Sequence, residues 1–414
     1  MGIGRREDAF GNGLSGDDTS VAAWRQAVDE LLSFTGDPIT TLDPMNRSDD
    51  RFVMGPVFAV AYRLLGGVAP TDPAVLADTQ RLERRAPGAT DRERAHIAAV
   101  TELAGGEFER AAEHWDQIAV VHPRDLTALK LAHDVCLHIG EDRIRLDGAR
   151  RTIDTSAFAD LEPASGIIHG MLAFALEEVG RYEEAEDHGR RALEVEPGDL
   201  WARHALAHVY ESTGNHHQAI ELLVPTTARW SQQNLLANHI WWHVGLRHLH
   251  HGDTDDAVSV LDRHLVSTTS FGLADSTSLL WRIELVAGRE DADGRWPKLA
   301  KDWAAKAERY TSGFLDVHAA MAFAAAPGPG ADDFCRGLHT RPTEAGTFND
   351  VTFAAVVRPA AQAMADYRRG DMCRAVETLG QIDGMLPRIG GSVVQREIVG
   401  RTAARAAELL GADR

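Results

Sequence analysis

The sequence predicts an all-α fold, a superhelix of antiparallel helix hairpins running through 414 residues. Three observations carry this. Apolar residues recur at helical spacing, and Ala, Leu, Glu and Arg fill the periodic segments. Alternating apolar/polar stretches are rare and β-branched runs are short. A unit of helix, Gly turn, helix and Pro stop returns at a fixed interval. A chain this long exceeds the size at which one globular core stops growing, so it is either several domains or one elongated array. The repeats predict the array.

Up to about Leu82 the repeats are weak (SVAAWRQAVDELLSFTGD and RFVMGPVFAVAYRLLGG), with residues 36–51 and 85–91 expected as loops. The next pair, RERAHIAAVTELAGGEFERAAEHWDQIAVVHPRD, turns at Gly106 and carries Phe108, Ala111 and Pro123. A looser pair turns at Gly140. The clearest unit spans residues 167–199, with a turn at Gly180 followed by Tyr182, Ala185, Ala192, Leu193 and Pro197. Small Ala173 and Ala185 suit the helix crossing, Tyr182 fills the gap beside them, and Pro197 stops the second helix for want of a backbone donor. This is the tetratricopeptide pattern, with a period of about 34 residues. Shifted by that period, Gly180 falls on Gly214, Ala185 on Ala219 and Ala173 on Ala207, which places a pair over 200–229. Another pair opens near Asn238 and turns at Gly252. Further first helices are expected to turn at Gly288 and Gly328, with a loop at 326–333. Residues 337–349 are turn-rich and read as a lid or an irregular linker. Helices over 351–369, 372–385 and 393–410 cap the array, because a terminal repeat otherwise exposes an apolar face. The expected organisation is a single solenoid over 1–414: divergent helices in 1–90, core repeats in 91–330 and capping helices in 331–414.

The formal net charge of −19 argues against a nucleic-acid partner. The three cysteines form no C-x-x-C pair, which speaks against a disulfide framework or a thiolate zinc site and suits a reducing, cytoplasmic setting. MGIGRREDAFGNG has no apolar core of a secretory signal, and no apolar run approaches the ~18 residues that span a bilayer. No Walker or Rossmann glycine loop and no G-x-S-x-G elbow occurs.

The chemistry-bearing residues fall on the first helices of the pairs, which line the concave side of such an array. One ridge reads Trp201, His204, His208, Glu211, and the next His239, Trp242, Leu246. The pair turning at Gly180 contributes Gly170, Phe174 and Glu177, where Gly170 suggests room for a ligand. Lys130 and Asp134, with His133 beside them, come from the pair at Gly140, and His96 from the pair at Gly106. Asp275 and Arg282 come from the helix ending at Gly288, and His318 from the one ending at Gly328. The spacings His204/His208 and His239/His243 put two imidazoles on one helix face. Three readings stay open for His204, His208 and His239: acid–base groups, ligands of a divalent transition metal such as zinc, or hydrogen-bonded core histidines. Arg282 reads either as a clamp for an anion or as the partner of Asp275. Trp201, Trp242 and Phe174 read as pocket walls or as repeat core.

HPRDLTALKLAHD, MLAFALEE, GDLWARHALAHVYE and NHIWWHVGLRHL, in this order, resemble the tetratricopeptide repeat protein 38 family. The likeness extends to RERAHIAAV before them and to SLLWRIEL, FLDVHAAMA and IGGSVVQRE after them. It implies an all-helical array and a set of pocket residues, of which Trp242 is the relevant Trp of NHIWWH, and it implies no activity. The expected function is a small-molecule enzyme of specialised bacterial metabolism. His204, His208, His239, Glu211 and Asp134 would do acid–base or metal-assisted chemistry, and Arg282, Asp275, Trp201, Trp242, Phe174, Glu177, His96 and His318 would hold the substrate. The alternatives are a scaffold for a peptide or protein segment and a non-catalytic binder of a small ligand. A homodimer is compatible with either.

Overall fold

A computed structural model of the chain describes residues 6–155, 164–230, 236–288, 293–306, 312–341, 343 and 346–412. Among these residues the secondary structure is helical, apart from isolated bridge residues at Thr35 and at Glu7 and Gly13, the latter two paired antiparallel. No described helix is long and apolar enough to cross a membrane.

Two compact units divide the chain: Met1–Leu137, Glu141–Thr213 and Thr226–Leu236 in the first, His138–Gly140, Gly214–Pro225 and Ala237–Arg414 in the second. The helices run in chain order as α1 (Asp18–Ser33), α2 (Pro38–Ser48), α3 (Met54–Leu65), α4 (Pro73–Arg85), α5 (Asp91–Ala104), α6 (Phe108–Val121), α7 (Leu126–Ile139), α8 (Asp142–Ile153), α9 (Ser165–Glu178), α10 (Tyr182–Val195) and α11 (Leu200–Ser212). They continue as α12 (His216–Leu223), α13 (Thr227–Trp230), α14 (Ala237–His251), α15 (Thr254–His264), α16 (Ser270–Ala287), α17 (Arg295–Ala304), α18 (Gly313–Ala325), α19 (Pro329–Thr340), α20 (Phe348–Thr352), α21 (Arg358–Arg368), α22 (Met372–Ile382) and α23 (Val393–Ala412).

The helix starts follow from side chains that satisfy free N–H groups. Thr90 and Glu93 form a reciprocal capping box at α5. Asp199 caps α11 through the Ala202 N–H, and Thr269 caps α16 through the Gly272 N–H. Six of the expected turns hold, at Gly106, Gly140, Gly180, Gly214, Gly252 and Gly288. At Gly180 the backbone has φ +75, a left-handed conformation in which a Cβ is strained, and Arg181 N–H returns to Leu176 O at 2.8 Å. Gly106, Gly140, Gly214, Gly252 and Gly288 share that conformation.

Three local expectations change. Residues 36–51 are mostly helix α2, not loop: Asp37 caps it, Pro38 occupies its first position, and Pro44 sits inside it. Gly328 is extended at φ 172, and α19 starts directly after it. The turn-rich stretch 337–349 contains the end of α19 and the start of α20, while 342, 344 and 345 lie outside the described residues. Farther on, α20 passes into α21 through a π-helical turn at Phe353–Val357, where Arg358 N–H donates to Phe353 O just before Pro359, which has no N–H.

In the first unit α9 packs on α8, α10 and α11. In the second, α14 packs on α15 and α16, and α18 on α16 and α21. A glycine permits close approach in each. A Cβ on Gly189 would lie 2.7 Å from Leu206 of α11, and one on Gly245 would lie 2.6 Å from Leu279 of α16. Gly170 differs: a Cβ there would meet that of Ala202 at 3.4 Å, an ordinary contact, so helix α11 borders the space read as room for a ligand.

Candidate functional site

In the first unit, α7, α9 and α11 bring their inner ridges into one buried layer. His204 and His208, one turn apart on α11, touch through their Nε2 atoms at 2.9 Å. One of the two nitrogens donates and the other accepts. The Phe174 ring stacks on His204 and meets His208 edge-on, and Trp201 tilts against both Phe174 and His204. On the far side of His208, its Nδ1 lies 3.4 Å from Glu177 Oε2, while Glu177 Oε1 accepts from Ser212 Oγ at 2.8 Å. The neighbouring Glu178 pairs at 3.5 Å with Arg145, which also binds Asp142. Both members of the Arg145–Glu178 pair are fully enclosed. Burial lowers the Arg145 pKa, but the charges of Glu178 and Asp142 outweigh it and leave the guanidinium above its ordinary value.

Beside this layer, Lys130 holds Asp134 with bonds of 2.5 and 2.6 Å. Burial pushes the Asp134 carboxyl up, but the Lys130 ammonium and then His133 pull it below the usual carboxylate range. His133 is enclosed, with neither ring nitrogen in a hydrogen bond and Asp134 at 3.8 Å. Burial drives its pKa down to about 4, so the ring is neutral near pH 7. Lys130 also lies over the rings of Phe34 and Trp201, which stack in parallel at 5.3 Å.

Glu211 is half-buried near the end of α11. His96 lies apart, in a network of its own: its Nε2 meets Asp125 at 2.9 Å and its Nδ1 accepts from Trp115 Nε1 at 3.1 Å. Arg92 binds the same Asp125 oxygen. That is a structural knot tying α5, α6 and α7.

In the second unit, His239 Nδ1 meets Asp275 Oδ1 at 2.9 Å, and Asn238 donates to the other oxygen at 3.0 Å. Trp242 stacks on His239, and the His243 ring lies edge-on to His239 at 4.8 Å. Arg282 lies over Trp242 at 5.2 Å. Its guanidinium donates to Ser278 Oγ and to the carbonyls of Val394 and Gln395. The expected Arg282–Asp275 ion pair is therefore replaced by two separate bonds, and the expected anion clamp is spent on backbone at the start of α23. Burial lowers Arg282 to about 9. His318 gives Nδ1 to its own helix at Phe314 O, 2.7 Å, and burial lowers it to about 4.

Sequence reading missed Phe34, Arg145, Glu178 and Ser212. The Glu-Glu pair at 177 and 178 was visible, but no spacing signalled that Arg145 faces it from another helix.

Residues 176–229 and 204–270 match two tetratricopeptide repeat family models. Among solved structures, the chain is similar to the APC/C hetero-tetramer Cut9–Hcn1, at 14% identity and a TM-score of 0.38, covering 91% of this chain and 69% of that one. It is also similar to the TPR domain of P58(IPK), at 14% identity and a TM-score of 0.22, covering 78% of this chain and 99% of that one. The family matches run through the helices that carry His204, His208, His239 and His243, and they overturn the reading of those helices as the machinery of a small-molecule enzyme. Physically, His204 and His208 bond to each other, His239 to Asp275, and Arg282 and His318 to backbone carbonyls. Residues 176–270 are thus similar to tetratricopeptide repeats.

Proposed function

We propose that the chain is an interaction scaffold that presents stacked helix hairpins to a basic, extended segment of a partner protein. The match of residues 176–270 to tetratricopeptide repeats carries this reading, since stacked repeats offer long surfaces rather than single pockets. The formal charge of −19 selects the partner's sign. Helix α10 exposes Glu183, Glu184, Asp187 and Glu194, and α15 exposes Asp255 and Asp256. The ordered series of His-bearing helices supports, at a finer level, a place beside the tetratricopeptide repeat protein 38 family.

The test is fluorescence anisotropy of the full chain with peptides of equal length and basic, neutral or acidic composition. Basic peptides are expected to bind, and to weaken as salt rises. Reversing Glu183, Glu184 and Asp187 together to Lys is expected to cost about tenfold or more in affinity. Equal binding of neutral or acidic peptides, or no binding by any of the three, would defeat the proposal.

A further inference from the structure

Glu177, Glu178 and His208 each offer a donor atom, and these atoms lie within 4.8 Å of one another among residues that are all buried. We propose that this trio, at the crossing of α9 and α11, binds one divalent transition metal ion of the zinc class. The inference is independent of the peptide reading.

Three observations converge. The first is spacing. His208 Nδ1 and Glu177 Oε2 are 3.4 Å apart. A charge-assisted hydrogen bond between them would be about 2.7–2.9 Å. Two ligands of a tetrahedral ion with bonds of about 2.0–2.1 Å stand about 3.3 Å apart, which matches the observed gap. The second is the arrangement around the ligands. A metal-binding imidazole commonly anchors its other nitrogen on a neighbour, and a metal-binding carboxylate is itself hydrogen-bonded. His208 Nε2 meets His204 Nε2 at 2.9 Å, and Glu177 Oε1 accepts from Ser212, leaving Nδ1 and Oε2 turned toward each other. The third is the donor set, one imidazole and two carboxylates in a buried layer beside Arg145. Mixed imidazole and carboxylate donors suit zinc and its first-row neighbours better than calcium, which takes six or more oxygens.

The ligand set differs from the His204, His208 and His239 set that helical spacing suggests. His204 becomes the group that orients His208, and the metal pins one repeat to the next in place of reacting with anything.

The experiment uses the full chain without a tag, stripped with chelator and titrated with Zn²⁺ against a competing dye, and with Co²⁺ read by its visible absorption. One Zn²⁺ per chain and a four- or five-coordinate Co²⁺ spectrum are expected. The isosteric Glu177→Gln and Glu178→Gln, and His208→Gln, are expected to weaken binding by more than ~100-fold, and His204→Phe by about 10–100-fold. Imidazoles near the end of α14, half-buried His248 with Asp253 and Asp256 nearby and exposed His250 and His251, could bind metal adventitiously. The triple change His248→Ala, His250→Ala and His251→Ala is therefore expected to keep the single tight site. Should His208→Gln fail to fold, the thermal shift caused by Zn²⁺ in wild type and its loss in Glu177→Gln give the same answer. No Zn²⁺ bound to wild type, tight binding retained in Glu177→Gln, or binding lost in the surface triple would each overturn the proposal.

Discussion

Helices α11 and α14 carry the same His-x-x-x-His spacing in two different units, and their surroundings have opposite character. Around His204 and His208 the enclosed groups are mainly carboxylates, Glu177 and Glu178, answered by Arg145. Around His239 and His243 the imidazole is held by Asp275, and the enclosed Arg282 rests on the Trp242 face and on backbone carbonyls, with no carboxylate among the described residues bonded to it. Spacing fixes which side chains share a helix face. It says nothing of the countercharges, which come from helices elsewhere in the chain.

The largest test of the contrast removes its aromatic walls. Trp201→Ala and Trp242→Ala are each expected to cost about 3–5 kcal/mol through cavity formation. If the two units are separate cooperative bodies, Trp201→Ala lowers amide-exchange protection in α9 and α11, and Trp242→Ala lowers it in α14 and α16. Equal loss throughout in both variants would show a single cooperative body and dissolve the comparison.

The charge contrast predicts unequal costs for removing the two arginines. Arg145→Met removes the enclosed guanidinium that pairs with Glu178 and Asp142 and is expected to cost about 3–5 kcal/mol. Arg282→Met leaves carbonyls rather than a carboxylate without their donor, at about 1–3 kcal/mol. Urea midpoints of the two variants measure the difference, and a costlier Arg282→Met would reverse the assignment of which environment is the more strongly charged.

How far the sequence revealed these environments depended on range. Left-handed turns demand glycine, so Gly106, Gly180 and Gly252 marked the hairpins directly. The shared face of His204 and His208 followed from one helix alone. Helix α2 was hidden because Pro44 within it reads as a breaker, although Asp37 and Pro38 spell a helix start. Arg145 and Glu178 were hidden because their contact joins α8 to α9, and no local period encodes which ridge meets which. The enzyme reading failed on the same ground: polar residues on an inner ridge look like a reactive pocket until their burial partners are known.

A smaller effect, equal in the two units, is expected with pH. His133 in the first and His318 in the second both titrate at about 4 when folded, against 6.5 for the free side chain. Their neutral forms therefore contribute stability fully above pH 6.5, and that contribution is lost as pH falls toward and through 4. Each loss is at most about 3.5 kcal/mol, from roughly 1.4 kcal/mol per pH unit. Asp199, raised to about 6 by burial, works the other way: its contribution is present below 3.8 and is lost as pH rises through 6. His133→Phe and His318→Phe are each expected to flatten the fall in melting temperature between pH 6.5 and 4.5. An unchanged slope in both would mean that neither ring is held neutral.

The smallest effect concerns Phe34, where two contributions oppose each other. Phe34 ends α1 with φ 57, the one described residue other than glycine in the left-handed region. That conformation costs an L-residue about 1–2 kcal/mol, and a bulky side chain keeps it only where the surroundings enforce it. Here the enforcement comes from the stack on Trp201 and from Lys130 over the ring. Aromatic pairs contribute about 0.5–1.5 kcal/mol beyond their burial, so Phe34→Gly gives up the stack and relieves the backbone in nearly equal measure. Net stability is expected to shift by less than about 1 kcal/mol. Phe34→Ala loses the stack and keeps the strain, so it is expected to be the less stable of the two. An alanine variant as stable as the glycine variant would mean that the turn is not strained, and that the ring alone holds the end of α1 against α11.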